Sequence, residues 1–189
     1  MINQTGWLTD VKVVPSPHFD SRQSDKDISL LVIHNINLPP GQFGGDDIEQ
    51  FFKGELDSTA HPYFAFIHEM KVSAHCLIKR DGEVIQFVSF QDRAWHAGVS
   101  SFAGRAQCND YSIGIELEGS DFVPYTQAQY QSLAKVTREI MQTFPAITLS
   151  RITGHQYIAP GRKSDPGLVF DWQKYRGLLT QSESVYNVG

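Results

Sequence analysis

Residues 112–118, Ser-Ile-Gly-Ile-Glu-Leu-Glu, alternate strictly between aliphatic side chains and serine, glycine or carboxylates. Successive side chains of a strand point to opposite faces, so Ile113, Ile115 and Leu117 must enter a core while Gly114, Glu116 and Glu118 face the other way. The apolar, β-branched run Leu30 to His34 reads as a second, buried strand entering a Gly/Pro-rich loop, Asn35 to Gly45. Val72 to Ile78 and Glu83 to Val88 flank Asp81-Gly82, a hairpin signal. Arg151 to His155 reads as a short strand. Helical periods lie between these runs. Asp46 stands as N-cap before Ile48, Phe51 and Phe52, with Gly54 as the stop. Thr126 and Gln129 fit a capping box for a helix to Phe144, which Pro145 ends; Tyr130, Leu133, Ala134, Ile140, Met141 and Phe144 share its apolar face. Asp171 caps a last helix carrying Trp172, Tyr175, Leu178 and Leu179.

These elements predict a mixed α/β fold, one central mixed β-sheet flanked by α-helices. A chain of 189 residues holds one such core and not two. Residues 1–29 read as a largely irregular arm packed on the domain, and 181–189 as a flexible tail.

With 41% hydrophobic and 20% charged residues, disorder is excluded as the dominant state. Lys+Arg 16 against Asp+Glu 21 gives a net charge of -5, which argues against nucleic acid as a partner. The longest apolar runs, Leu30 to Ile33 and Tyr63 to Ile67, fall far short of the roughly 20 residues of a membrane span. Met1 to Asp10 carries neither the basic nor the apolar region of a secretory leader, so the cytoplasm is the expected compartment. Nothing implies an oligomer. Cys76 is expected in the core and Cys108 in a polar loop, both reduced; the spacing leaves a single disulfide open.

Two of the seven histidines stand out. His34 and His155 each end a strand and open a loop, where sites are commonly built. In the loop after His155, Pro166 biases Asp165 toward an extended backbone. Two imidazoles and one carboxylate leave one tetrahedral zinc position open for water, the pattern of a catalytic site. The same donor types occur in iron oxygenases, but neither His34 nor His155 stands in the close His-x-Asp/Glu pair of such sites. Glu116 is costly to place on a central strand without a partner or a task, and would serve as general base. Lys163 would stabilise an oxyanion. Glu118 is a weaker candidate on the same face. Neither cysteine sits in a nucleophile motif, so water is the expected attacking group.

Beyond these single residues, an ordered series of blocks spans roughly residues 7–180. It includes Pro15-Ser16-Pro17-His18, Leu31-Val32-Ile33-His34-Asn35, Ala60-His61-Pro62-Tyr63-Phe64, Val72-Ser73-Ala74-His75, Ala94-Trp95-His96-Ala97-Gly98, Ile113-Gly114-Ile115-Glu116-Leu117-Glu118-Gly119, Thr153-Gly154-His155 and Arg162-Lys163-Ser164-Asp165-Pro166-Gly167. The series resembles the cytosolic AmpD family of 1,6-anhydro-N-acetylmuramoyl-L-alanine amidases, zinc enzymes similar to peptidoglycan-recognition proteins. The resemblance implies one zinc ion per chain on His34, His155 and Asp165, with Glu116 and Lys163 catalytic. Many members of the wider family have Cys where this chain has Asp165. It further implies substrate contacts by Asn35, Tyr63, Lys71, Trp95, His96 and Arg162. Lys71 stands where close members carry Arg, and an ammonium lacks the bidentate fork of a guanidinium. The implied activity is hydrolysis of the lactyl–L-Ala amide of soluble anhydromuropeptides in cell-wall recycling. A catalytically dead binding module would lack a ligand or the acid/base pair; this chain keeps all five residues.

Overall fold

The computed structural model describes residues 1–24 and 27–180. The expected tail at 181–189 lies outside the described residues. Among the described residues, ten strands and five α-helices follow in chain order: β1 (Lys12–Val13), β2 (Phe19–Ser21), β3 (Leu30–Ile36), α1 (Asp47–Lys53), α2 (Phe64–Ile67), β4 (Cys76–Ile78), β5 (Val84–Gln86), β6 (Asp92–Ala94), β7 (Ser101–Phe102), β8 (Arg105–Ala106), β9 (Ser112–Glu118), α3 (Gln127–Thr143), β10 (Ile152–Gly154), α4 (His155–Ile158) and α5 (Trp172–Thr180). The main sheet has the order β1-β5-β4-β9-β3-β10. Only the β4–β5 hairpin is antiparallel within it; its Gly82 takes the positive φ of 91° that the turn needs. The expected mixed sheet with flanking helices is therefore the observed architecture.

Strand alternation sorts the two faces. Leu31, Ile33, Ile113, Ile115 and Leu117 join Tyr130, Leu133, Val136 and Ile140 of α3 and Tyr175 of α5 in the largest core. α3 begins with the expected reciprocal capping box between Thr126 and Gln129, a device whose cap alone contributes about 1 kcal/mol. Asp171 caps α5 through Lys174 N–H, and Gly54 closes α1 in the left-handed region. The opposite face of the sheet packs on two smaller clusters. Phe51, Phe52, Leu38 and Ile85 build one, and Leu30, Val32, Ala97, Tyr111 and Ile158 the other.

The structure corrects several expected boundaries. The segment 11–29 is not merely irregular: β1 adds a strand to the sheet edge and β2 pairs with β6. Strand β3 runs through Asn35 to Ile36, so the Gly/Pro loop starts later. The flanks of the hairpin are shorter than their apolar runs. Arg151 belongs to a 3-10 turn and His155 opens α4, leaving only Ile152–Gly154 as strand. Cys108 is fully buried rather than in a polar loop, with its sulfur 3.3 Å from Tyr111 Oη; both cysteines are free.

Candidate metal centre and active site

Strands β3, β9 and β10 lie side by side and parallel, and the register of the sheet builds the site at their carboxyl ends. His34 is the pairing partner of Glu116, and Ile33 is the partner of Gly154, which places His155 at the level of His34. Three neighbouring strands about 4.8 Å apart thus deliver three polar side chains at one level. Crevices at the carboxyl ends of parallel strands are a general location for ligand sites.

Asp165 reaches this level from the loop after α4. Its backbone carbonyl accepts from Gln156 N–H at 2.9 Å, and the next carbonyl, of Pro166, accepts from Tyr125 Oη at 2.8 Å. Gly154 permits the close approach: a Cβ there would lie 2.8 Å from the Pro166 ring. The result is a triangle. His34 Nδ1 is 3.0 Å from His155 Nδ1 and 3.1 Å from Asp165 Oδ2, and His155 Nδ1 is 3.0 Å from the same oxygen. Ligand atoms about 2 Å from a tetrahedral zinc are about 3.3 Å apart, so the spacing suits a small divalent cation.

Proton accounting supports the same fit. His155 Nε2 lies 3.0 Å from Ala97 O and must carry the hydrogen, because a carbonyl only accepts. With that single hydrogen on Nε2, Nδ1 turns a lone pair toward a carboxylate oxygen that also only accepts. A positive charge between them relieves this opposition. His34 is arranged alike, with Nδ1 in the triangle and Nε2 2.9 Å from His96 Nδ1.

Burial is the dominant electrostatic influence here. It pushes His34 down to about 4 despite the bond to Asp165, so this imidazole stays neutral and available to a cation. Burial alone would raise Asp165, but the neighbouring His155 and His34 hold it well below the usual carboxylate range. Glu116 is raised well above its ordinary value, first by burial and then by the Asp165 charge, with Lys163 acting the other way. Its buried Oε2 has no hydrogen-bond partner among the described residues. Glu118, by contrast, is consumed by the fold: its carboxylate accepts from Gly44 N–H and Arg80 N–H.

The triad, Glu116 and Lys163 share a cleft of about 430 Å³. Asn35, Tyr63, Trp95 and His96 also line it, together with an apolar wall of Leu38, Phe51, Phe52, Ile67, Met70 and Val72 that the sequence reading did not assign. Asn35 is oriented by donating to Asp121 Oδ1 at 2.8 Å. Two expected substrate contacts sit differently. Lys71 is exposed and outside the lining, which its neighbours Met70 and Val72 supply. Arg162 donates from Nη2 to Ala97 O and Val99 O at 2.7 and 2.8 Å, bracing the carbonyl that receives His155, and lies beside the cleft rather than in it.

The chain is similar to known amidases. The model of the N-acetylmuramoyl-L-alanine amidase family matches residues 24–168. The 1,6-anhydro-N-acetylmuramyl-L-alanine amidase AmpD of Citrobacter freundii is 58% identical over 182 residues, covering 96% of this chain and 97% of that protein. A crystal structure of a selenomethionine AmpD derivative superposes with a TM-score of 0.92 at 58% identity, covering 95% of this chain and 100% of that one. The Escherichia coli amidase AmiD, solved with the substrate anhydro-N-acetylmuramic acid-L-Ala-D-γ-Glu-L-Lys, superposes with a TM-score of 0.61 at 28% identity, covering 84% of this chain and 60% of that one. The chain belongs to the N-acetylmuramoyl-L-alanine amidase family.

Proposed function

We propose that the chain is a zinc-dependent amidase that hydrolyses the amide between the lactyl group of anhydro-N-acetylmuramic acid and L-Ala in soluble anhydromuropeptides, as a step of peptidoglycan recycling. The observation that carries the reading is the buried, unpartnered Glu116 Oε2 in one cleft with the His34–His155–Asp165 triangle. The substrate class is supported by near-full-length similarity to AmpD proteins and by the ligand of AmiD.

His34 Nδ1, His155 Nδ1 and Asp165 Oδ2 would hold the zinc. When bound, zinc polarises a carbonyl and brings the pKa of a coordinated water toward roughly 7. Glu116 Oε2 takes the proton of the attacking water and returns it to the departing L-Ala nitrogen. A carboxyl raised by burial is suited to both transfers, since a general base works best with a pKa near the operating pH. Lys163 meets the negative charge that develops on the carbonyl oxygen. The aromatic and aliphatic wall opposite shelters the amide from bulk water, and Trp95 offers a flat platform to the sugar or peptide.

We place the reaction in the cytoplasm, on fragments rather than on intact wall polymer. Both thiols are free and buried, which fits a reducing compartment. Among the described residues no helix is long and apolar enough to cross a membrane. The test is metal analysis of protein purified without added metal, with product analysis on an anhydromuramoyl tripeptide and on intact murein. One zinc per chain, release of free peptide from the fragment and poor turnover of murein are expected. Iron in place of zinc, or equal rates on both substrates, would overturn the reading.

A further inference from the structure

We propose that His96 is a positioning residue, seated on Gly114, that fixes the tautomer of His34 and so presents Nδ1 to the metal. The proposal rests on the zinc reading above. His96 Nδ1 is 2.9 Å from His34 Nε2, and His96 Nε2 is 3.1 Å from Ser112 Oγ. A hydrogen on His34 Nε2 donated to His96 Nδ1 leaves the lone pair of His34 on Nδ1, facing His155 and Asp165. His96 Nε2–H then donates to the Ser112 hydroxyl, which is fully buried. The reverse order would put a hydrogen on His34 Nδ1 and close the ligand position. Ring orientation and tautomer of metal-bound imidazoles are commonly set by such outer contacts.

The ring of His96 has little room to move. Its backbone N–H and that of Ala97 both donate to Asn109 Oδ1, at 3.2 and 2.8 Å. Its face lies directly over Gly114, where a Cβ would stand 2.4 Å from His96 Cγ and 2.5 Å from His96 Nδ1. Gly114 has an ordinary extended strand backbone, so alanine there meets no backbone strain; its cost falls on the imidazole above it. Glycine inside a strand often marks such a close approach. Gly114 thus sets the height of His96, and His96 sets the proton of His34, without either residue entering the ligand triangle.

The test reads zinc affinity directly, by titrating Zn²⁺ into the chelator-treated chain against a chromophoric competitor, with circular dichroism to verify folding. H96A is expected to weaken zinc binding by about 10–100-fold, the usual effect of losing an outer partner. G114A should weaken it similarly by displacing the ring, while H96A/G114A should be no worse than H96A, because the added methyl then meets no imidazole. H96N, which keeps an acceptor beside His34 Nε2, should recover most of the affinity. Wild-type zinc affinity in H96A would overturn the proposal, and a raised KM in that variant would make His96 a substrate contact instead. Full additivity of H96A and G114A would also overturn it. A wild-type chain that fails to bind zinc would overturn the zinc reading and this proposal together.

Discussion

His34 and Glu116 stand opposite each other as paired residues of adjacent parallel strands, on the same face of the sheet. Their neighbours Ile33 and Ile115 are likewise paired and sit in the main core with no exposed surface. A slip of one residue would send the imidazole or the carboxyl into that core and an isoleucine into the cleft. The residues that hold the sheet together therefore also hold the metal ligand and the general base at one level.

Glu116→Gln removes the base while keeping size and most of the packing. Zinc content should stay at one per chain, since Glu116 is outside the ligand triangle. The rate of hydrolysis should fall by about 10²–10⁴-fold, the span typical of a general acid–base group. Loss of zinc from this variant would make Glu116 a ligand or a structural support of the metal site instead.

Asp165→Ala leaves two neutral imidazoles and no anion in the triangle. Such a pair has a much poorer claim on Zn²⁺, so the variant should be purified without zinc and without activity. It should fold, because among the described residues the Asp165 carboxylate meets only the two ligand imidazoles. Metal analysis showing one tightly held zinc would contradict the assignment.

Glu118→Ala separates the two carboxylates of β9. Glu118 supplies acceptors to Gly44 N–H and Arg80 N–H and is 2% exposed. Stranding those donors costs about 1–3 kcal/mol, or a drop in Tm of about 2–12 °C for a chain of this size. The rate per folded, zinc-loaded molecule should stay within a few-fold of the wild type. A collapse of rate without a change in Tm would move Glu118 into the chemistry.

Much of this site is legible from local pattern. The alternation in 112–118 places Glu116 opposite a core face, and His34 and His155 are marked by the ends of their apolar runs. The convergence of His34, His155 and Asp165 is a property of register between distant strands, which period alone does not reveal. Strands β1 and β2, of two and three residues, are too short to express a period, and their long-range pairing alone makes them strands. The resemblance names Arg162 as a substrate contact, and nothing local in the sequence announces the carbonyls of Ala97 and Val99 to which it donates. For His96, one sign was available: a glycine inside a strand that otherwise alternates, now seen beneath the imidazole.

Acid should destabilise the metal-free chain between pH 6.5 and 5. His75 is pushed down to about 3, first by burial and then by Arg22. The unfolded chain protonates an imidazole near pH 6.5 while the folded one does not, so the unfolded state binds more protons and stability falls with pH. His34, pushed down to about 4, acts in the same sense. Glu116, raised by burial, acts in the opposite sense, and Asp165 matters only below about pH 4. His96, held well below its ordinary value by burial, adds a third imidazole in the same sense, so the net effect over this window is a loss of stability. Urea unfolding at pH 6.5 and 5 measures it; equal stability at both would show that His75 and His34 are protonated in the folded chain.

Lys163→Ala tests whether charge at the cleft mouth acts on the transition state. Lys163 is exposed and lines the cleft beside Glu116 and Asp165; its backbone N–H donates to Ala159 O, but among the described residues its side chain makes no hydrogen bond or ion pair that would tie it to the fold. Its removal should leave Tm and zinc content unchanged. Negative charge on the carbonyl oxygen appears only as water attacks, so an ammonium placed to meet it lowers the barrier more than it tightens ground-state binding. The variant should therefore lose kcat, by about 10–10³-fold, with KM changed little. Lys163→Arg should recover part of the loss, since the positive charge is kept while the flexible ammonium is exchanged for a wider planar group. Steady-state kinetics on an anhydromuramoyl tripeptide separates the cases. A raised KM with unchanged kcat would assign Lys163 to uniform binding of the acidic stem peptide, and its role in the chemistry would be withdrawn.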